Sequence, residues 1–218
     1  MQNNEELRVQ EIETEPDDCA CSNERLSGEL IRLREFYRIK GIPVMEDFAL
    51  KLLCERLADL RPEKVLEIGT ATGCSGIAIL MSAGKSCRLT TVEIDEDSFY
   101  EAAENFRRLG LYGKVHMILG DAAEVLQKMS GKYDYIFLDG PKGHYHEYYP
   151  YLKELLKEGG EMFCDDVLIK EGSEGRKFNA IKNNMRTFIG EVKADNEMQS
   201  ELIRKGNGIM IVKKRGNR

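Results

Sequence analysis

The stretch Val65-Leu66-Glu67-Ile68-Gly69-Thr70-Ala71-Thr72-Gly73-Cys74-Ser75 decides the fold of this chain. Its first four residues are mostly apolar and predict a short buried strand, and the apolar run at 77–81 predicts a helix. Two glycines bracket the turn between them, where the backbone can bend sharply and approach a ligand without a Cβ in the way. The free N–H groups at the start of the helix can then face a polar or anionic ligand. Such a strand–glycine–helix unit is typical of a doubly wound α/β sheet.

The spacing of the two glycines separates one nucleotide-binding fold from another. The dinucleotide pattern G-x-G-x-x-G would require glycine at 71 and 74, where Ala71 and Cys74 stand, so a dehydrogenase is disfavoured. Glu67 is a second signal, because an acid inside a buried strand is costly unless it has a role. This E-x-G-x-x-x-G stretch resembles the first motif of class I S-adenosylmethionine (SAM) methyltransferases. In that family the turn holds the amino-acid end of the cofactor.

Strand and helix patterns alternate through the rest of the chain. Further strands are predicted at 89–94, 115–119, 133–138 and 161–164, and helices around 99–109, 122–129, 148–156 and 178–188. This rhythm predicts a parallel sheet with helices on both faces. The last strand-like runs, 201–205 and 209–213, flank Gly206-Asn207-Gly208, which is a strong hairpin signal. We therefore expect an α/β, Rossmann-like class I methyltransferase fold whose seven-stranded, mostly parallel sheet closes in a C-terminal antiparallel hairpin.

The N-terminal part of the chain precedes this alternating pattern. Residues 1–20 contain seven acids and one arginine without apolar periodicity, and we expect them to form a mobile tail. Residues 21–218 then form a single domain. It begins with two helices at about 22–60, whose apolar faces include Leu30, Tyr37, Leu53 and Leu57. These helices could cap the ligand site or form an oligomer surface, and we expect a homodimer.

Composition limits the classes of partner and compartment. The net charge of −6 argues against a nucleic-acid partner, but the acidic excess lies in residues 1–20, whereas 167–218 carry twelve Lys/Arg against six Asp/Glu. No apolar run approaches the roughly 20 residues that a membrane span needs, so no membrane contact is expected. The six cysteines show no C-x-x-C pair or zinc spacing. We therefore expect a reduced, cytoplasmic protein.

Acids at the predicted strand ends are candidate ligand contacts, since doubly wound sheets bind ligands there. Glu93 ends the second strand, where a carboxylate can accept hydrogen bonds from both ribose hydroxyls. Asp121 follows the third strand and, with Ala122, could border an adenine; it could equally be a plain helix N-cap. The glycine turn, Glu93 and Asp121 follow the first, second and third strands in order, and three such sites are unlikely to arise by chance.

Three more acids follow the next two strands. Asp139 ends the fourth strand, and Asp165 and Asp166 end the fifth. Neighbouring parallel strands would bring these carboxylates together, and crowded carboxylates repel one another unless a cation joins them. An all-oxygen ligand set suits a hard ion such as Mg²⁺ or Mn²⁺. The alternative is a group of exposed turn acids.

Lys142, three residues past Asp139, could act as a base if nearby cations lower its pKa.

Asp139 with Lys142, followed by Asp165-Asp166-Val167, resembles the cation-dependent O-methyltransferases of the catechol and caffeoyl-CoA type, over about residues 41–214. The resemblance implies SAM as cofactor, a metal held by Asp139, Asp165 and Asp166, and catalysis by Lys142 and Asp139. In that family Asn is usual where Asp166 stands, which leaves the metal preference open. The resemblance places cofactor contacts at Met45, Glu67, Gly69, Thr70, Ser75, Glu93, Asp121, Ala122 and Asp139.

Within this family the sequence is most similar to the bacterial tRNA 5-hydroxyuridine methyltransferases, through stretches that include 42–46, 142–145 and the pair Tyr148-Tyr149. This resemblance implies methylation of 5-hydroxyuridine to 5-methoxyuridine at the tRNA wobble position, since vicinal oxygens of the base could chelate a cation as a catechol does. Aromatic residues at 144–149 could stack on a splayed base or form the packed face of a helix. The alternatives are a small catechol or hydroxycinnamoyl-type substrate, and a noncatalytic SAM-fold RNA-binding protein.

Overall fold

The computed structural model describes residues 23–169 and 175–216. The acidic tail predicted for residues 1–20 lies outside these residues. Helices and strands alternate through the described part of the chain, in the order α1 (Asn23–Ile39), α2 (Asp47–Leu60), β1 (Lys64–Ile68), α3 (Cys74–Ser82), β2 (Arg88–Glu93), α4 (Glu96–Arg108), β3 (Val115–Leu119), α5 (Ala122–Lys128), β4 (Tyr133–Leu138), α6 (Tyr145–Leu155), β5 (Leu156–Cys164), α7 (Arg176–Ala194), β6 (Met198–Ile203) and β7 (Ile209–Lys214). No helix among the described residues is long and apolar enough to cross a membrane.

The seven strands form one sheet in the order β3-β2-β1-β4-β5-β7-β6. The first five are parallel, and β7 runs antiparallel to both β5 and β6, which confirms the predicted sheet and hairpin. The strand order reverses at β1, which has β2 on one side and β4 on the other. A ligand crevice is expected at the carboxyl ends of the strands at such a point.

Two apolar layers cover the sheet. Helices α1 to α4 pack on one face around residues such as Leu53, Ile77 and Phe106. Helices α5 to α7 cover the other face around Leu138, Tyr145 and Phe188. The side chains of β1 alternate between these layers, so Glu67 points to the same layer as Val65. This places the acid beneath α3.

The hairpin strand β6 differs from the prediction. It spans Met198–Ile203 rather than 201–205, because it pairs with the whole of β7, from Met198 opposite Lys214 to Ile203 opposite Ile209. The connecting turn contains Gly206 and Gly208, both with positive φ. A Cβ at Gly206 would lie 2.0 Å from a carboxylate oxygen of Glu46, so this turn packs tightly against the segment that enters α2.

Candidate active site

The turn after β1 is fixed by close backbone approach. Gly69 has φ 97°, and a Cβ at this position would lie 2.6 Å from the carbonyl oxygen of Asp139. The backbone of β1 can therefore reach the end of β4 this closely only through glycine. At the other end of the turn, Gly73 has φ 82° and caps the N-terminus of α3. Its N–H donates to the carbonyl of Thr70 over 2.9 Å, which closes the turn.

A buried hydrogen-bond chain supports this turn from below. The hydroxyl of Ser75 donates to one oxygen of Glu67 over 2.5 Å, and the hydroxyl of Thr91 donates to the other over 2.7 Å. The Thr70 hydroxyl lies 2.6 Å from that of Thr91. Burial raises the pKa of Glu67 to about 7, against the lowering effect of the two hydroxyls. Glu67 thus holds the residues of the turn and of β2, and it is not among the residues that line the adjacent cavity.

Glu93 at the end of β2 holds the other side of the turn. One carboxylate oxygen accepts from the N–H of Ala71 over 2.7 Å, and the second accepts from the N–H groups of Ile94 and Asp95, each over 2.9 Å. These bonds use three of the about four lone-pair sites of the carboxylate, so the oxygen that accepts from Ala71 retains acceptor capacity. Glu93 therefore both shapes the turn and presents a carboxylate to a ligand.

Two adjoining cavities open at this edge of the sheet. The first, of about 220 Å³, lies between the turn, the segment 43–45 and the end of β4; the second, of about 230 Å³, lies between β2, α5 and α6. Gly69, Glu93 and Pro141 line both. Of the predicted cofactor contacts, the first cavity is lined by Met45, Gly69, Thr70, Ser75, Glu93 and Asp139, and the second by Gly69, Glu93, Asp121 and Ala122.

Asp121 is the N-cap of α5 and also lines the second cavity, and its contact with an adenine stays a prediction. Its carboxylate accepts from the N–H of Ala123 over 2.8 Å and so caps α5. The same residue lines the second cavity together with Ala122. Capping fixes the carboxylate at the helix start, where it meets the cavity.

The acids of β4 and β5 do not gather into a ready metal site. Among residues 23–169 and 175–216, no three His, Cys, Asp or Glu side chains form a group that could hold a metal ion. The ammonium of Lys142 instead lies 2.5 Å from Asp139 and 3.9 Å from Asp166. Asp165 is turned inward, 4% exposed, and accepts the N–H of Asp166, whose φ is 55°. At the place where the sequence predicted three converging carboxylates, the Lys142 ammonium therefore lies between those of Asp139 and Asp166.

Burial and mutual repulsion act on the acids of this group. Burial and the neighbouring Asp139 and Asp166 carboxylates raise the pKa of Asp165 to about 7. Burial also raises the pKa of Asp139, against the lowering effect of Lys142. The ammonium of Lys142 further donates to the hydroxyl of Tyr145 over 3.0 Å. The described neighbours of the Lys142 ammonium are thus oxygen atoms. The sequence-based prediction of Lys142 as a base required nearby cations that lower its pKa, and no cation is among these neighbours.

The aromatic residues at 144–149 form the packed face of α6. Tyr145, Tyr148 and Tyr149 are at most 5% exposed, and Tyr145 and Tyr149 both pack edge-on against Phe188 of α7. The base-stacking interpretation is therefore wrong for these three tyrosines, because their rings are used in the core. The two histidines of the group are more exposed: His146 is about one-quarter exposed, and His144 has a half-exposed ring that stacks on Tyr148 at the rim of the second cavity.

Sequence reasoning missed Arg34, which lines the first cavity from α1. Its side chain is only about 10% exposed. A signal was available in the sequence, since Leu30, Leu33, Arg34 and Tyr37 follow the i, i+3, i+4, i+7 spacing of one helix face. A charged residue on an otherwise apolar face is expected to have a partner or a ligand.

Comparison with known proteins fits this geometry. A protein-family model described as O-methyltransferase matches residues 32–215, which is most of the chain. The chain belongs to this O-methyltransferase family. Relatives of this O-methyltransferase include the caffeoyl-CoA O-methyltransferase of Stellaria longipes, 31% identical over 54% of the chain, and the catechol O-methyltransferase of Niastella koreensis, 32% identical over 55%. These matches span 52% and 61% of the two relatives' own lengths.

Solved structures show the same fold. A putative caffeoyl-CoA O-methyltransferase from Staphylococcus aureus superposes with a TM-score of 0.78 at 22% identity, covering 88% of this chain and 98% of that one. The O-methyltransferase from Bacillus cereus, solved in complex with SAH, gives a TM-score of 0.72 at 20% identity, covering 91% and 94%. At these identities the likeness establishes the fold alone.

Proposed function

We propose that this protein is a SAM-dependent O-methyltransferase that acts on a small catechol or hydroxycinnamoyl-type substrate. The observation that carries the proposal is the pair of adjoining cavities at the ends of β1, β2 and β4, with Glu93 on the wall that they share. The Bacillus cereus neighbour was solved with SAH, and the named relatives act on caffeoyl-CoA and catechol. These names support the small-molecule alternative better than the wobble uridine of tRNA, which none of them mentions.

A divalent cation is part of the proposal. The donor set fits, because Asp139, Asp165 and Asp166 provide carboxylate oxygens, the ligands that Mg²⁺ prefers. Lys142 lies between two of them as the one ammonium in contact with this group among the described residues, so three carboxylates share a single positive charge. Bound there, the cation would supply Lewis-acid chemistry that lowers the pKa of a substrate hydroxyl. Binding requires Lys142 to leave Asp139.

The chain's own residues then position the two reactants. The turn at 69–75 and Met45 would hold the amino-acid end of SAM, Glu93 would accept a hydrogen bond from the ribose, and Asp121 with Ala122 would border the adenine. The substrate oxygen loses its proton and forms a bond to the methyl carbon, while the carbon–sulfur bond breaks and its electrons neutralise the sulfonium. Lys142 would lie beside the reacting hydroxyl, where its ammonium would shield the developing negative charge or, once a bound cation has lowered its pKa and it has lost its own proton, its amine would accept the proton of the hydroxyl. Proximity supplies most of the acceleration, because sulfonium is already electrophilic.

The test is a direct comparison of substrates with labelled SAM. We expect methyl transfer to catechol or caffeoyl-CoA to exceed transfer to tRNA that lacks 5-methoxyuridine, measured as kcat/KM. Chelation should abolish turnover and leave SAH affinity largely intact, and Mg²⁺ or Mn²⁺ should restore turnover. Preferential methylation of tRNA would favour 5-hydroxyuridine at the wobble position as the substrate. SAH binding without transfer to either class in a single turnover would favour the noncatalytic alternative.

Lys142 provides the matched variant for this test. Lys142→Met should lower kcat about 10²–10⁴-fold while the affinity for SAH stays nearly constant, because the side chain acts at the substrate oxygen. The control is Lys128→Met, which removes an exposed lysine at the end of α5. Normal turnover by Lys142→Met, with added Mg²⁺, would remove Lys142 from the mechanism.

A further inference from the structure

Carboxylates outnumber cationic side chains around the two cavities. Among the described residues that line them there is no lysine and one arginine, Arg34, whereas four residues contribute carboxylates: Glu93, Asp121, Asp139 and Glu147. Arg34 lines the first cavity together with residues of the turn at 69–75 and with Met45, to whose carbonyl it donates. A ligand that fills both cavities therefore meets one arginine, in the first cavity, whereas Asp121 lines the second.

The guanidinium of Arg34 retains unused donors. Its Nη2 donates to the carbonyl of Met45 over 2.6 Å and lies 2.9 Å from Asp47. No described residue is recorded as a partner of Nε or Nη1. These atoms are not sealed in the core, since the buried side-chain polar atoms without a partner in the described part are limited to Tyr135 and His146. A guanidinium with two nitrogens left to donate can bind a carboxylate through charge-assisted hydrogen bonds.

Asp47 does not neutralise Arg34 by itself, because Asp47 is shared. The same carboxylate oxygen lies 2.5 Å from Arg38, closer than the 2.9 Å to Arg34. Two guanidinium groups and one carboxylate leave a net positive charge. Arg38 is exposed and belongs to the outer side of α1, where both arginines border a shallow depression. Glu35 borders the same depression, and of the two arginines that share Asp47, Arg34 also lines the first cavity.

The position of Arg34 is fixed relative to the turn. Leu33 and Tyr37 on the same helix are buried in the layer that includes α3. The side-chain amide of Asn105 in α4 donates both to the hydroxyl of Tyr37 and to the carbonyl of Thr72 in the turn, over 2.8 and 2.9 Å. One amide thus ties α1, which carries Arg34, to the turn that lines the same cavity.

We infer that Arg34 binds the α-carboxylate of the cofactor's amino-acid end and so selects cofactors that carry it. The inference rests on the proposed SAM-dependent function, in which the turn at 69–75 holds that end of the molecule. SAM has one anionic group, and the two cavities have one arginine. The ammonium and sulfonium groups of SAM would be balanced by the carboxylates that line the same two cavities.

The experiment compares two ligands that differ only in this group. Calorimetry measures the binding of SAH and of its decarboxylated analogue, in which hydrogen replaces the carboxylate. Wild-type protein should bind SAH about tenfold or more tightly than the analogue, since a hydrogen bond between charged groups contributes about 1.5–3 kcal/mol. Arg34→Met should lose that preference, weakening SAH about tenfold and leaving the analogue within about twofold.

The control is Arg38→Met, which removes a guanidinium one turn away that shares Asp47 and does not line the cavity. It should preserve the preference for SAH. Equal affinity of wild-type protein for both ligands would overturn the inference whether or not Arg34→Met folds. Equal losses for both ligands in a folded Arg34→Met would also overturn it, by making Arg34 a support for Met45. Failure of wild-type protein to bind either ligand would instead remove the proposed function, and the inference with it.

Discussion

The buried carboxyl of Glu67 shows how single residues fix the candidate site. Its side chain is 0% exposed and accepts hydrogen bonds from Ser75 and Thr91, so it joins the turn to β2. Burial raises its pKa to about 7 because the charged form loses hydration that two hydroxyls only partly replace. The acid that stands out in the sequence therefore acts by positioning the turn.

This raised pKa predicts how stability depends on pH. The folded-state pKa of about 7 lies above the ordinary value of 4.5. The contribution of Glu67 is thus fully present below pH 4.5 and is lost as the pH rises through 7, because the unfolded chain releases the proton first. The loss is up to about 3 kcal/mol. Glu67→Gln should flatten this part of the profile, measured as the free energy of unfolding in urea between pH 5 and 8.

The control for Glu67→Gln is Glu124→Gln, which removes an exposed carboxylate from α5. It should follow the wild-type profile over the same range. A Glu67→Gln variant that loses as much stability as wild type between pH 5 and 8 would show that Glu67 ionises without cost.

At the scale of elements, α3 depends on small residues for its approach to the sheet. A Cβ at Gly76 would lie 2.8 Å from a ring carbon of Phe106 and 2.9 Å from a methyl group of Leu89. Both neighbours are buried, Phe106 on α4 and Leu89 on β2. Gly76 therefore allows α3 to pack closely against α4 and β2. Its role differs from that of Gly69 and Gly73, which adopt the positive φ that the turn requires.

Gly76→Ala should destabilise the protein even though alanine is the better helix former. Overpacking of this kind costs about 1–3 kcal/mol, more than the gain of about 1 kcal/mol in helix propensity. The matched control is Gly190→Ala in α7, where a Cβ meets no atom within 4 Å. That change should stabilise the fold by about 0.5–1 kcal/mol. Thermal and urea unfolding of both variants measure the difference, and equal effects would contradict the packing argument.

For the whole molecule, an ion pair joins the N-terminal helices to the sheet across 105 residues of sequence. Arg56 on α2 donates through two nitrogens to the carboxylate of Glu161 on β5. Glu161 is 2% exposed, whereas Arg56 is about one-third exposed. Helix α1 provides Arg34 to the first cavity, and the segment between α1 and α2 provides Met45. A contact that holds α2 on the sheet therefore helps to keep this wall of the first cavity in place.

The homodimer expected from the sequence stays a prediction.

Loss of Arg56 should leave a buried carboxylate without its partner. Arg56→Ala is expected to lower the free energy of unfolding by about 2–3 kcal/mol, less than for a fully buried pair because water reaches Arg56. The double variant Arg56→Met with Glu161→Met should recover much of this loss, since no uncompensated charge remains. Lys51→Ala, which breaks an exposed pair with Glu55 on the same helix, should change stability by no more than about 0.5 kcal/mol. Similar losses for Arg56→Ala and Lys51→Ala would argue against a special role for the buried pair.

The sequence by itself determined the fold and the edge of the sheet that carries the site. Alternating periodicities are local signals, because each strand or helix must bury its own apolar face whatever its neighbours are. The bounds of β3 and β4 follow from them directly. The spacing of Gly69 and Gly73 excluded a dinucleotide turn, and the rule that parallel strands end at one edge placed Glu93 and Asp121 on the cavity.

The tertiary structure alone decided which groups face the cavity and which ones pair. Arg34 reaches it because α1 packs against α3, and Tyr145 is buried because α7 covers α6. Lys142 takes up a position between Asp139 and Asp166, where the sequence predicted that the carboxylates would converge. These outcomes depend on contacts between segments far apart in the chain. No local period encodes them, since the free energy that selects them comes from burial and charge pairing across elements.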